Sequence, residues 1–88
     1  MKHVHIKIYG RVQGVGFRWG AWEKAKELGV YGFARNEADG SVYIEVEGDG
    51  QKIEQFVAWC RKGTLWSKVE RVDVQNSILQ HFTDFKVL

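Results

Sequence analysis

Between Ile8 and Arg18 the chain reads Ile8-Tyr9-Gly10-Arg11-Val12-Gln13-Gly14-Val15-Gly16-Phe17-Arg18, and no other stretch leaves the fold so few choices. Upstream, Val4, Ile6 and Ile8 alternate with His5 and Lys7, the period of a half-buried strand. Downstream, from Arg18 to Leu28, Ala21, Trp22, Ala25 and Leu28 recur at helical spacing, and Gly29 follows as a stop signal. A strand must therefore become a helix through a glycine-rich bend. Such a bend gathers unpaired backbone N–H groups in one concavity at the positive end of a helix dipole, where an anion is favoured. Arg11 and Arg18 bracket it, and no acidic residue lies between Lys7 and Glu23.

The two best-known phosphate loops do not fit this bend. A dinucleotide loop needs G-x-G-x-x-G, but Gly14-x-Gly16 is followed by Gly20, one residue late. A P-loop needs Gly-Lys-Ser/Thr, and no Ser or Thr follows here to hold magnesium. The expected cradle is therefore metal-free and consists of Gln13, Gly14, Val15, Gly16, Phe17 and Arg18. Arginine offers a planar fork that holds two phosphoryl oxygens at once and stays charged at any working pH. Arg18, at the helix mouth, is better placed for this than Arg11, which with Gln13 is expected to shape the loop or its field.

The rest of the chain supplies a partner for the bend. Tyr31 to Asn36 reads as a short strand, Ala38-Asp39-Gly40 as a hairpin turn, and Val42, Ile44 and Val46 as the inward face of a third strand. Asp49 is a candidate N-cap for a second helix whose apolar residues Ile53, Phe56, Val57 and Cys60 share one face before Gly63. Val72 and Val74 mark a fourth strand. Val69 is out of phase with them, which predicts a bulge or an earlier start, and Phe85 and Val87 close a short fifth strand. The order βαββαβ plus a last strand predicts an α+β, ferredoxin-like sandwich: an antiparallel sheet, two helices on one face and a short C-terminal strand. In that architecture strand three lies between strands one and two, so the ends of strands one and two share a rim. Topology thus brings Asn36 to the glycine bend.

The run from Gly10 to Arg18 resembles the first signature of the acylphosphatases. Gly32-Phe33-Ala34-Arg35-Asn36, three residues, Gly40-Ser41-Val42, five residues and Gly48 resemble the second. The resemblance covers nearly the whole chain and implies metal-free hydrolysis of acyl phosphates to a carboxylate and inorganic phosphate, the latter both product and inhibitor. By it, Arg18 matches the phosphate-binding arginine and Asn36 the water-positioning asparagine. The residue types agree. A carboxamide cannot take a proton at neutral pH, so Asn36 is expected to orient water and not to act as a base. A phosphomonoester leaves as an alkoxide and needs a general acid, whereas an acyl phosphate leaves as a carboxylate of pKa about 4 and needs none. One departure from the family pattern is Lys62-Gly63-Thr64-Leu65-Trp66-Ser67, where Leu65 and Trp66 would shape the acyl pocket if the segment overhangs the site.

Other classes fit less well. Eighty-eight residues make one domain, 1–88, and no apolar run approaches membrane-spanning length or the core of a signal peptide. A cytoplasmic monomer with no cofactor and no membrane or nucleic-acid partner is expected. The lone Cys60 has no disulfide partner and falls on the apolar face of helix two. A net charge of +2 is too mild to argue for nucleic acid, and strand three carries glutamates where an RNA-recognition motif needs aromatic residues. The domain also resembles the N-terminal part of hydrogenase-maturation carbamoyltransferases, so a non-catalytic or carbamoyl-phosphate-directed module is the rival reading; with no domain after Leu88, a freestanding hydrolase is preferred. His3 and His5 share a strand face, but with no third ligand in sequence reach they are expected to be solvated. Trp19, Trp22, Tyr31 and Phe33 are expected to pack together, and Glu23, Lys24, Lys26 and Glu27 to face solvent.

Overall fold

In the computed structural model, which describes Met1–Leu88, Val4, Ile6 and Ile8 pair with Val46, Ile44 and Val42, and all six are almost fully buried. These rows are the floor of the core. They belong to β1 (Lys2–Arg11) and β3 (Val42–Gly48), and the chain adds α1 (Phe17–Leu28), β2 (Tyr31–Asn36), α2 (Gly50–Lys62), β4 (Lys68–Ser77) and β5 (Phe85–Val87). The sheet order is β4-β1-β3-β2-β5, with β3 antiparallel to both β1 and β2. Phe17, Ala21 and Ala25 of α1 and Ile53, Phe56 and Cys60 of α2 join the same apolar core, so both helices cover one face. Burying each large side chain contributes about 1.5–3 kcal/mol. The architecture is the ferredoxin-like sandwich that the pattern predicts.

The local signals are largely in place. Gly29 caps α1 at φ 72°, and the Asp49 side chain accepts from the Gln51 amide at 2.9 Å to start α2. Between Tyr9–Arg71 and Gly10–Val69 the β1–β4 register shifts, leaving Glu70 as the extra residue of a bulge. That bulge turns Val69 onto the face of Val72, and both pack against the core. Cys60 is fully buried, and its surroundings push the thiol pKa up, so the thiol is inert.

Three expectations need correction. The sheet is mixed at one edge, because β5 runs parallel to β2, pairing Gly32 with Phe85 and Ala34 with Val87. Residues 78–84 carry the chain from the β4 edge to the β2 edge, so the last strand enters from the end where β2 also begins. The four aromatics do not form one cluster: Trp19 is 59% exposed and meets Trp22 edge-on, while Phe33 packs against Tyr43 and Phe82 on the helix-free face. Phe33 alternates with the buried Ala34, which turns it to that side. Finally, His3 is not solvated but 1% exposed, because the β1–β3 register sets it opposite Glu47 and His5 opposite Glu45 while Phe82 stacks on its ring.

Candidate active site

The bend at the end of β1 is held open by its backbone. Gly14 and Gly16 have φ of 73° and 77°, left-handed values that a side chain disfavours, while a Cβ at either would meet nothing within 4 Å. Conformation, and not crowding, selects glycine there. Gly16 is also the N-cap of α1, and the first turn of that helix contains no acidic residue. The amides of Gln13, Gly14, Val15 and Gly16 donate to no main-chain acceptor. Together they form a concavity of donors at the positive end of a helix dipole.

Two side chains fix this bend to the rest of the molecule: Gln13, expected to shape the loop though its partners are not readable from sequence, and Thr64, whose part the sequence does not show. Gln13 Nε2 donates to the carbonyls of Glu37 at 2.8 Å and Ser41 at 3.0 Å, joining the bend to the β2–β3 turn. Thr64 Oγ1 donates to the Val15 carbonyl at 2.9 Å, joining it to the α2–β4 loop. The turn that receives Gln13 is itself braced. Asp39 accepts from the Ser41 hydroxyl at 2.5 Å and the Ser41 amide at 3.0 Å, and pairs with Lys7 at 3.0 Å. Those Ser41 bonds, and then the Lys7 contact, hold the Asp39 carboxyl far below the usual carboxylate range. Beneath the bend Phe17 packs on Trp59, and Gly20 passes so close that an added Cβ would lie 2.7 Å from that indole.

Arg18 lies in the first turn of α1 and forms no ion pair with an acidic side chain. Its Nη1 donates to the main-chain oxygen of Leu88, whose amide in turn donates to Ala34 at 2.9 Å. The guanidinium is thus tied through the last residue to β2, two positions before Asn36. Asn36 is exposed at the end of β2, paired with Val42, which pairs with Ile8. This row places Asn36 on the helix-covered side of the sheet, toward the start of α1, as the topology predicts. Arg11 is exposed and lies outside the bend.

The arrangement is a shallow bowl. The sizeable cavities lie elsewhere: one of about 420 Å³ opens on the helix-free face between His5, Tyr43 and Asp73. That cavity has no loop residue in its wall, and we place the candidate chemistry at the bowl because a phosphoryl group needs convergent donors and not enclosure. On the rim beyond Thr64, Leu65 and Trp66 are 87% and 74% exposed.

A ferredoxin-like sandwich with an open amide bend where its first strand becomes its first helix defines a class of small α+β domains. The model of the family described as Acylphosphatase matches residues 4–87. The acylphosphatase of Thermococcus kodakarensis is 43% identical over 90 residues, covering 100% of this chain and 99% of that one. The crystal structure of acylphosphatase from Bacillus subtilis is similar with a TM-score of 0.97 at 34% identity, covering 100% and 99% of the two chains. The crystal structure of full-length HypF in its phosphate- and nucleotide-bound form is similar with a TM-score of 0.88 at 29% identity, covering 99% of this chain and 12% of that one. The chain belongs to the acylphosphatase family. Its activity is that of an acylphosphatase, a hydrolase acting on acyl phosphates.

Proposed function

We propose that the chain splits the carboxyl–phosphate bond by direct attack of a water that Asn36 positions, on a phosphoryl group gripped by the amides of Gln13 to Phe17 and by Arg18. The observation that carries this reading is the set of unpaired amides at Gln13–Gly16 at the mouth of α1, whose first turn holds Arg18 and no acidic residue. Phosphoryl transfer passes through a loose transition state with charge spread over the equatorial oxygens, so fixed donors supply most of what catalysis needs. The Asn36 side-chain oxygen accepts a hydrogen bond from water and aims it at phosphorus. As the new P–O bond forms, the P–O bond to the acyl group breaks, the carboxylate departs and the water's proton passes to a phosphate oxygen. No residue of the bowl acts as general acid, which confines the site to leaving groups as good as a carboxylate. The reaction is metal-independent, and inorganic phosphate competes for the bowl. A monomer working in the cytoplasm suffices for it.

Hydrolysis of benzoyl phosphate by the purified chain, with competitive inhibition by phosphate, is the direct test. Turnover that persists undiminished in Asn36→Ala, or inhibition by phosphate that persists in Arg18→Ala, overturns the assignment of roles. The likeness to HypF favours one second reading, a carbamoyl-phosphate-directed domain, and comparing carbamoyl phosphate with benzoyl phosphate as substrates separates the two. A nucleic-acid platform is disfavoured because Phe82 and the glutamates Glu45 and Glu47 occupy the face that would bind bases.

A further inference from the structure

The helix-free face carries a second constellation that the hydrolytic reaction does not use. His3 Nε2 lies 3.0 Å from Glu45 Oε1, and His5 Nε2 lies 3.4 Å from that same oxygen. The three ligand atoms lie within 4.8 Å of one another. Bonds of about 2.1 Å at tetrahedral angles set ligand atoms roughly 3.4 Å apart, so one of these separations matches what a zinc-sized ion requires and the other is within about half an ångström of it. We propose that His3, His5 and Glu45 bind a divalent zinc-class cation through two imidazole nitrogens and one carboxylate oxygen, leaving a fourth position for water.

The groups behind these three are arranged as an outer shell for a metal. His3 Nδ1 faces Glu47 Oε2 at 2.8 Å, and a carboxylate on the far nitrogen is what orients a ligating imidazole and raises its basicity. Glu47 is itself fixed. It accepts from the Gln80 amide at 2.8 Å and the Phe82 amide at 2.5 Å, across His81, whose φ of 61° turns those two amides toward one carboxylate. The second oxygen of Glu45 accepts from the Tyr43 hydroxyl at 2.7 Å, which leaves Oε1 for the histidines.

Access and selectivity follow from the same geometry. His3 is enclosed, but His5 is about one-third exposed and lines the cavity of about 420 Å³ between β1, β3 and β4. Water and a hydrated ion reach His5 from that side. An incoming cation takes the position that His3 Nε2 and Glu45 Oε1 face, while Nδ1 keeps its contact with Glu47. Two imidazoles and one carboxylate suit zinc, copper or nickel and not calcium or magnesium. From His5 to Val12 the chain spans seven residues, roughly 23 Å at 3.3 Å per residue. The cation therefore sits at the opposite end of β1 from the bowl and takes no part in hydrolysis.

Titration of the full chain with zinc chloride, followed by calorimetry and by the ring-nitrogen resonances of histidine, tests this. One ion per chain is expected, shifting the resonances of His3 and His5 and not those of His81. His5→Ala, at a partly exposed position that leaves the core intact, and Glu45→Gln should each weaken binding at least about tenfold, while His81→Asn, which keeps a residue tolerant of the left-handed backbone there, should bind as the parent chain does. The site is refuted by the absence of binding at millimolar zinc, by unchanged affinity in folded His5→Ala, or by loss of binding in His81→Asn alone. These readouts do not involve turnover, so they stand or fall separately from the hydrolytic reading.

Discussion

At its C-terminal end β1 runs into Gln13–Gly16, where the groups that can meet charge are main-chain amides; at its N-terminal end His3 and His5 meet Glu45 and Glu47, where they are side chains. The amide bowl is exposed, has no acid in it and is open to an anion. The histidine–glutamate cluster is partly buried, internally paired and suited to a cation. A bowl of amides needs only backbone conformation and two braces, Gln13 and Thr64, and its specificity then rests on the few side chains aimed at it. A side-chain cluster instead depends on strand register, since a one-residue slip of β1 against β3 would part every histidine from its carboxylate.

If the bowl is the hydrolytic site, the largest effect belongs to its one fixed cation. Arg18→Ala should lower kcat/KM for benzoyl phosphate by at least about 10²–10³-fold and remove phosphate inhibition, with the fold retained by circular dichroism. Normal phosphate inhibition in that variant would place the anion elsewhere and break the contrast between the two ends. Next in size is Asn36→Ala, which leaves the amides and Arg18 in place. Its kcat should fall about 10²-fold while the phosphate inhibition constant stays near the parent value, because the water loses its guide and the bowl is intact. Equal loss in both parameters would instead make Asn36 a part of the anion grip.

The contrast also explains what the sequence can reveal. The bend is readable because its causes are local: strand alternation to Ile8, left-handed glycines at 14 and 16, and helical spacing from Ala21. Asn36 becomes readable one step later, through the strand order. Gln13 as a strut to Glu37 and Ser41, and Thr64 as a brace on Val15, are not, since each joins residues brought together only by the finished fold. The cluster at the other end is hidden for a stronger reason. Glu45 and Glu47 look like the solvent side of a half-buried strand until Phe82 and the amides of 80 and 82 cover that side, and residues 78–84 show no apolar period. Parallel β5 escapes for the same reason, since the crossing that reverses its direction is the segment that hides His3.

A smaller effect, on stability, should come from Glu47→Gln. The amide cannot accept from His3, Gln80 and Phe82 as a carboxylate does, so a loss of about 2 kcal/mol and a fall of roughly 10 °C in Tm are expected near pH 7. Since the Glu47 carboxyl sits below its ordinary pKa, the stabilisation is present above about pH 4.3 and is lost as pH falls through the depressed folded value. Melting curves of the two chains should therefore converge on acidification. A gap that stays constant down to pH 3 would show that Glu47 acts by packing alone. Benzoyl phosphate turnover at 25 °C should be nearly unchanged, because the substitution lies at the far end of β1.

The smallest expected effect is that of a chelator on the rate. The bowl offers amides, a guanidinium and a carboxamide, none of them a ligand of choice for a transition metal, whereas the donors that suit one are gathered at His3, His5 and Glu45. Treatment with EDTA should leave kcat and KM for benzoyl phosphate unchanged. Added zinc should raise Tm, by binding the folded chain, without altering kcat at saturating substrate. The two measurements on one sample separate the ends of the strand. A rate that falls with EDTA and returns with zinc would bring a metal into the bowl, and would mean that a phosphoryl group held only by amides and arginine is not enough.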